Sequence, residues 1–520
     1  MIYEVKFMRD SQRIRCACLW RGLAISLFYR ERASKTNAAF PPLWSVLIMD
    51  RKENSEKTVQ ALMRLLPSMD KILSDRRLAE FEEHIGRSAV KDVCVQTLSQ
   101  WRTKILNGEN AVYDETRFFA ELLLKLNKMA SPSLRPVLNC TGVVVHTNLG
   151  RSCLAEEAID AAAAAGLGYS TLEYDLDSGS RGHRNAHVEW LLCRLTGAEA
   201  AVVVNNNAAA VLLVLAALAA KKDAVVSRGE LVEIGGSFRI PDIMSFAGTR
   251  LVETGCTNRT HLRDYENAIT DDTVMLLKVH PSNFRISGFV TSPEREELAR
   301  LAHSKGLLMV EDLGSGILVG NETLGLEGES TVHDCLNAGV DLVTFSGDKI
   351  LGGPQMGAVV GKKELIDKLR RYPLLRALRC DKMTLAALEA TLRIYLRGDW
   401  KKIPTLEMIT ATEKELKTRA EKLRQKIDEL GLNVASDVVP SEDAVGGGAY
   451  PERPLPGWAV AIRPAAPLNT AVLQQRLRKC TVPVVAVAHE DELLIHLRTL
   501  RPFEEDSLLA SLREALEEAR

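Results

Sequence analysis

Residues 344–355 read Thr344-Phe345-Ser346-Gly347-Asp348-Lys349-Ile350-Leu351-Gly352-Gly353-Pro354-Gln355. An apolar strand stops at Phe345. A lysine follows, held between one glycine and a Gly-Gly-Pro turn. A lysine near a buried strand end loses hydration, which depresses its pKa. Its neutral amine can then form a Schiff base. Taken alone, the stretch also fits a solvated loop lysine, the commoner fate of that residue. Its neighbours along the chain decide between the two.

One strand–helix–strand unit upstream lies Leu308-Met309-Val310-Glu311-Asp312-Leu313-Gly314-Ser315-Gly316. An apolar strand ends there in a carboxylate and a Gly-rich turn, where α/β proteins build their sites. Asp312 can hold a cationic ring nitrogen, or it caps the next turn. Glu311 points to the opposite face and is expected to pair structurally. Further upstream, Val204-Asn205-Asn206-Asn207-Ala208 marks a strand giving way to a helix. Free amides at such a helix start bind anions, or the asparagines are simply caps. Together the three segments have the order of a pyridoxal phosphate site. Lys349 holds the aldehyde, Asp312 keeps the ring nitrogen protonated, and the helix start holds the phosphate.

This site sits in a long α/β stretch. Strands are expected at Ala200–Val204, Ala224–Ser227, Val274–Val279, Leu307–Glu311, Leu342–Phe345 and Ala358–Val360, with helices such as Ala208–Lys221, Pro293–Lys305 and Val332–Ala338 between most of them. That alternation predicts a mostly parallel sheet covered on both faces. Four regions follow: 1–54, an extension with no part in the fold; 55–130, all-helical; 131–395, the large α/β domain; and 396–520, a small α+β domain. In the last, helices are expected over Glu413–Leu430 and from Glu504 to about Ala519, with strands at Trp458–Ile462, Val482–Val487 and Glu492–His496. Pro440–Pro456 is expected as a loop. In the extension, the apolar patch Leu23–Tyr29 lacks a following cleavage site. Met49 opens a helix-like pattern and is an alternative start.

Composition narrows the function. The chain has 520 residues, a net charge of -1, 46% hydrophobic and 26% charged residues. These values exclude wholesale disorder and nucleic-acid binding over the whole surface. The ten cysteines form no CxxC pair and no cluster with zinc-ligand spacing, so no metal site is expected and the thiols read as reduced and cytosolic. The longest apolar run, Ala208–Ala220, is too short for a membrane span and reads as a buried helix.

The central region resembles the bacterial L-seryl-tRNA(Sec) selenium transferase (selenocysteine synthase) family. The resemblance is carried by His146-Thr147-Asn148-Leu149-Gly150-Arg151, Leu172-Glu173-Tyr174-Asp175-Leu176, Arg181-Gly182-His183-Arg184, Val204 through Ala210, and Ser227 through Gly236. Asp312 through Gly316, Ser346 through Gln355 and Arg376-Ala377-Leu378-Arg379 continue it, and it runs from about Leu65 to the C-terminus. It implies fold type I of the pyridoxal phosphate enzymes (aspartate-aminotransferase-like), with an N-terminal helical tRNA-binding domain and a C-terminal small α+β domain. It also implies conversion of L-seryl-tRNA(Sec) to L-selenocysteinyl-tRNA(Sec) with selenophosphate, through a cofactor-bound aminoacrylyl intermediate. By the same resemblance, Lys349 is catalytic. Lys349, Asp312, Asn205, Asn206, Asn207 and Ser346 bind the cofactor, and Arg151, Arg184, Arg376 and Arg379 bind selenophosphate, Arg376 and Arg379 across a dimer interface. Arg181 is a weaker candidate, and His183 and His280 read as local hydrogen-bonding residues. Lys71, Arg76, Arg77, Arg87 and Lys91 supply positive charge to the helical domain. The family is cytoplasmic and forms a homodecamer, with no membrane or DNA partner.

Two other readings compete. An ammonia lyase of the same superfamily, acting on a small phosphorylated amine, shares the lysine loop; such relatives tend to lack the helical domain. A cofactor-binding regulator needs a basic recognition helix, and 55–129 has no clear one.

Overall fold

The computed structural model describes residues 58–517 except 109–111, 235–237, 282–283, 285, 327 and 447–453. The expectations for 1–54, and Gly235-Gly236 of the matching stretches, lie outside the described residues. The chain divides into two units, Met1–Arg135 and Pro136–Arg520.

The first unit is helical. Helices Arg87–Leu106 and Glu115–Ala130 bury Val90, Cys94, Trp101, Phe118, Leu122 and Leu126 at helical spacing. The second helix starts because Asp114 accepts from the amides of Thr116 and Arg117. Trp101 meets Phe118 edge-on at 6.0 Å, and its ring N–H donates to Glu121 at 2.9 Å, so the buried indole keeps a partner.

The second unit is built on seven strands: β1 (Ala200–Val204), β2 (Asp223–Ser227), β3 (Arg250–Thr254), β4 (Thr273–Val279), β5 (Leu308–Gly314), β6 (Leu342–Ser346) and β7 (Gly357–Gly361). Their order is β1-β7-β6-β5-β4-β2-β3. β7 runs antiparallel to β6 and β1, and the other pairs are parallel. The carboxyl ends of the parallel strands therefore share one edge. The apolar runs are continuous because both faces are buried. Along β1, Ala201 and Val203 enter one core while Ala200, Val202 and Val204 enter the other. The helix after β1, α1 (Asn207–Leu218), is apolar nearly all round and lies in the second core.

A six-stranded sheet forms the smaller part, in the order Leu138–Cys140, Val484–His489, Glu492–His496, Leu455–Pro464, Val434–Gly446, Val143–Val145. Helices Glu413–Glu429, Thr470–Leu477 and Glu505–Glu517 cover it. Two expectations are corrected here. Residues 138–140 and 143–145, within the region assigned to the large domain, form strands that pair in the small sheet. The expected loop Pro440–Pro456 is strand to Gly446 and again from Leu455. The polar run hides that strand because its inward residue is a charge. Asp443 is 1% exposed. It accepts from Arg498 Nε at 2.8 Å and pairs with His496 Nδ1 at 2.7 Å. Strand β3 is not among the expected strands, being a half-exposed edge with charges among its apolar residues.

Candidate active site

Three strand ends and the helix that follows β1 converge at the carboxyl edge of the large sheet. The register pairs Asp312 with Thr344 and Val279, and Gly357 with Val204 and Ser346. The start of α1 rests directly on β7. A Cβ on Gly357 would lie 2.2 Å from the carbonyl oxygen of Asn206, so only glycine fits.

Lys349 is 6% exposed and Asp312 5%. Burial pushes the Lys349 ammonium below the usual lysine range; Asp312 and Asp348 oppose that shift and Arg151 adds to it. Burial pushes the Asp312 carboxyl upward, and hydrogen bonds from Asn207 and Thr344 with the charge of Lys349 pull it back. Asn207 Nδ2 donates to Asp312 Oδ1 at 2.8 Å and Thr344 Oγ1 donates to the same oxygen at 3.0 Å. Both donors take Oδ1, which leaves Oδ2 for a cationic group.

The asparagines divide their work. Asn206 is a helix cap, its side chain accepting from the Ala209 amide at 2.9 Å. Asn207 orients Asp312. The Asn205 amide donates to the Leu378 carbonyl at 2.8 Å, and the Asn205 side chain is exposed. First-turn amides of α1 remain for an anion. Ser346 is buried where β6 ends.

The residues fit pyridoxal phosphate. Three buried polar atoms without a hydrogen-bond partner among the described residues belong to neighbours of Asp312 and Lys349: Asn207 Oδ1, Ser315 Oγ and His280 Nδ1. Buried polar atoms require partners, and a polar ring with a phosphate arm provides them. The site thus presents a buried amine with a lowered pKa, a buried carboxylate and a helix start along one sheet edge.

Arg151 stands beside the lysine. It holds a positive φ of 65° and donates to Asp348 at 2.8 Å. Ser152 Oγ donates to the Gly353 carbonyl at 2.8 Å, so residues 151–152 strap the lysine loop. Arg184, Arg376 and Arg379 do not join Arg151 within one chain. They line a separate cavity of about 770 Å³ with Glu173 and Arg181. Arg370 and Arg371 also line it; their only signal in the sequence is their place in a basic run. Glu173, which the sequence marks only as part of a matching stretch, contacts Arg181, Arg184 and Arg379. His280 pairs with Glu329 at 3.2 Å. His183 accepts from the Ala186 amide through its carbonyl.

Glu311 lies on the opposite face, fully buried, and takes both Nε and Nη2 of Arg295 at 2.7 Å. Glu311→Ala strands that guanidinium. It is expected to cost about 3–5 kcal/mol of stability in urea denaturation; a loss below about 1 kcal/mol would show that the pair is dispensable. Among the described residues there is no cluster of metal-ligand type and no helix long and apolar enough to cross a membrane.

A family model described as L-seryl-tRNA selenium transferase matches residues 137–501, and one described as selenocysteine synthase N terminal matches 63–102. The L-seryl-tRNA(Sec) selenium transferase of Moorella thermoacetica is 48% identical over 465 residues, covering 88% of this chain and 98% of that protein. The protein of the same name from Nitratidesulfovibrio vulgaris is 47% identical over 466 residues, covering 88% and 99%. Among solved structures, D-glucosaminate-6-phosphate ammonia-lyase aligns with a TM-score of 0.52 at 23% identity, over 76% of this chain and 98% of that one. That likeness speaks to the fold alone. The architecture is fold type I of the pyridoxal phosphate enzymes, with a helical N-terminal region.

Proposed function

This chain belongs to the L-seryl-tRNA(Sec) selenium transferase family, and on that premise we propose that it converts L-seryl-tRNA(Sec) into L-selenocysteinyl-tRNA(Sec) with selenophosphate as donor. The observation that carries the reading is the buried pair at the sheet edge, Lys349 with its depressed pKa and Asp312 with one oxygen left for a cation. Pyridoxal phosphate, when bound, supplies an electrophilic aldehyde and an electron-accepting ring. Lys349 would hold it by the aldehyde, Asp312 by the ring nitrogen, and the amides at the start of α1, beside Asn205, Asn206 and Ser346, by the phosphate.

The chain's own groups do the rest. Lys349 Nζ carries the proton removed from the seryl Cα, a role that its lowered pKa favours. Arg184, Arg376 and Arg379 hold the donor anion with planar forks suited to phosphate-like oxygens, and Arg151 guards the lysine side. We place Arg376 and Arg379 opposite a partner subunit's lysine, in a ring of dimers that makes ten copies. Exposed Leu167, Tyr169 and Leu176, around the segment that leads to Arg181, support a covered surface there. The helical unit takes the tRNA by backbone and shape. Its Arg76 and Lys91 are exposed, whereas Arg77 is held by Asp75 and stacks 3.6 Å over Phe119. The setting is cytoplasmic.

The test is formation of selenocysteinyl-tRNA from purified protein, seryl-tRNA(Sec) and selenophosphate. Product is expected, and Arg376→Ala should raise the KM for selenophosphate about tenfold or more with a smaller change in kcat. No product from cofactor-loaded protein, with ammonia released instead from a small phosphorylated amine, would favour the lyase reading.

A further inference from the structure

Three guanidinium groups converge on one carboxylate in the arginine-lined cavity. Glu173 Oε1 accepts from Arg184 Nε at 3.1 Å and Nη2 at 2.7 Å, and from Arg379 Nη1 at 3.4 Å. Its Oε2 accepts from Arg181 Nη2 at 2.7 Å. The clamp is built by a hairpin. Glu173 immediately precedes strand Tyr174–Asp175, Arg181 ends the paired strand Ser180–Arg181, and the Gly182 amide returns to the Glu173 carbonyl at 3.1 Å. The cavity wall carries six arginines against three carboxylates, Glu173, Glu189 and Asp367; Arg370 takes the last two, and Arg376 forms no ion pair among the described residues. The cavity therefore has a standing excess of positive charge around an anion that is part of the chain.

Resting on the reading that this cavity takes the selenium donor, we infer that Glu173 is its specificity-determining residue, a tethered counter-anion that yields its arginines only to a small phosphate-like polyanion. A tethered carboxylate competes at a high effective concentration. A monoanion gains no more from the forks than Glu173 already provides, so it does not displace it. A phosphate-like dianion offers more charge and three oxygens, enough to engage several forks at once. An RNA phosphodiester carries one charge per phosphate and falls with the monoanions, so the selected ligand is the free donor rather than the tRNA backbone.

Calorimetric titration of the cofactor-loaded protein with inorganic phosphate and with formate tests this. Glu173→Gln is expected to tighten phosphate roughly tenfold and to admit formate, which the wild type excludes. In turnover it should lower the KM for selenophosphate and sharpen inhibition by inorganic phosphate. Glu173→Asp keeps the charge but withdraws it by one methylene. It should fall between the two, and it carries the comparison should Glu173→Gln not fold. Phosphate affinity unchanged or weakened in both variants, with Arg376→Ala still weakening it, makes Glu173 a structural clamp and overturns the inference. Phosphate affinity indifferent to Arg376→Ala removes the donor site itself, a separate failure.

Discussion

Lys349→Ala is expected to reduce selenocysteinyl-tRNA formation by at least about 10⁴-fold, because one substitution removes both the covalent anchor and the proton carrier. The fold should survive. Lys349 is buried with its ammonium disfavoured, and the desolvation cost its removal relieves outweighs the charge it shares with Asp312. Borohydride reduction followed by intact mass is the direct readout: the wild type gains the mass of the cofactor on Lys349 and the variant gains nothing. Lys349→Arg should fail equally, since a guanidinium does not deprotonate in this range. The depressed pKa fixes the sign of the pH dependence. Only the neutral amine attacks an aldehyde, so capture of added pyridoxal phosphate by stripped enzyme should quicken with rising pH. It should level off below the ~10.4 of an exposed lysine. A variant at 349 that still carries covalent cofactor would falsify the assignment.

The second large effect belongs to Asp312→Asn. Asparagine keeps the shape and can still accept from Asn207 Nδ2 and Thr344 Oγ1 through its own oxygen. What it loses is the charge that holds a ring nitrogen protonated, and turnover should fall about 10³-fold. Stripped of cofactor, the variant should behave oppositely. The folded-state pKa of Asp312 is raised, so its carboxylate is penalised at every pH above the ordinary aspartate value of ~3.9. The neutral amide carries no such penalty. The stripped variant should therefore melt higher than stripped wild type at neutral pH, and the gap should shrink as the pH falls through the raised folded-state value and be closed by the time it reaches the ordinary one. Cofactor should then raise the melting temperature of the wild type more than that of the variant. Equal turnover, or a stripped variant that melts lower at neutral pH, would place the charge elsewhere.

Much of this site was legible in the chain because parallel sheets leave plain marks. Val202-Val203-Val204, Met309-Val310 and Val343-Thr344-Phe345 are buried on both faces, so their apolar runs are unbroken and the polar residues that end them stand out. The expected pairing of Glu311 away from the site follows from strand alternation and is met by Arg295. Other features could not be read. Asp443 looks like a loop residue until Arg498, 55 positions away, is seen to neutralise it. Resemblance groups Arg151 with three other arginines, and local pattern does not show that its guanidinium donates to Asp348. Which of the three asparagines caps and which orients Asp312 depends on side-chain direction at a helix start, which local pattern does not encode.

The small sheet closes a very long loop. Leu138 pairs with Val484 and Ala444 with Val143, so its first and last strands are contributed hundreds of residues before the strands beside them. During synthesis these two early segments have no neighbours until most of the chain has left the ribosome. The catalytic sheet has no such wait, since its last strand ends at Gly361. Synthesis order thus imposes a sequence of assembly: the lysine loop is enclosed first, and the smaller half zips shut around strands 138–140 and 143–145 only once the tail is made. A truncation before Val434 would leave a complete catalytic sheet attached to two orphaned strands with sticky edges, a species for chaperones and proteases to remove.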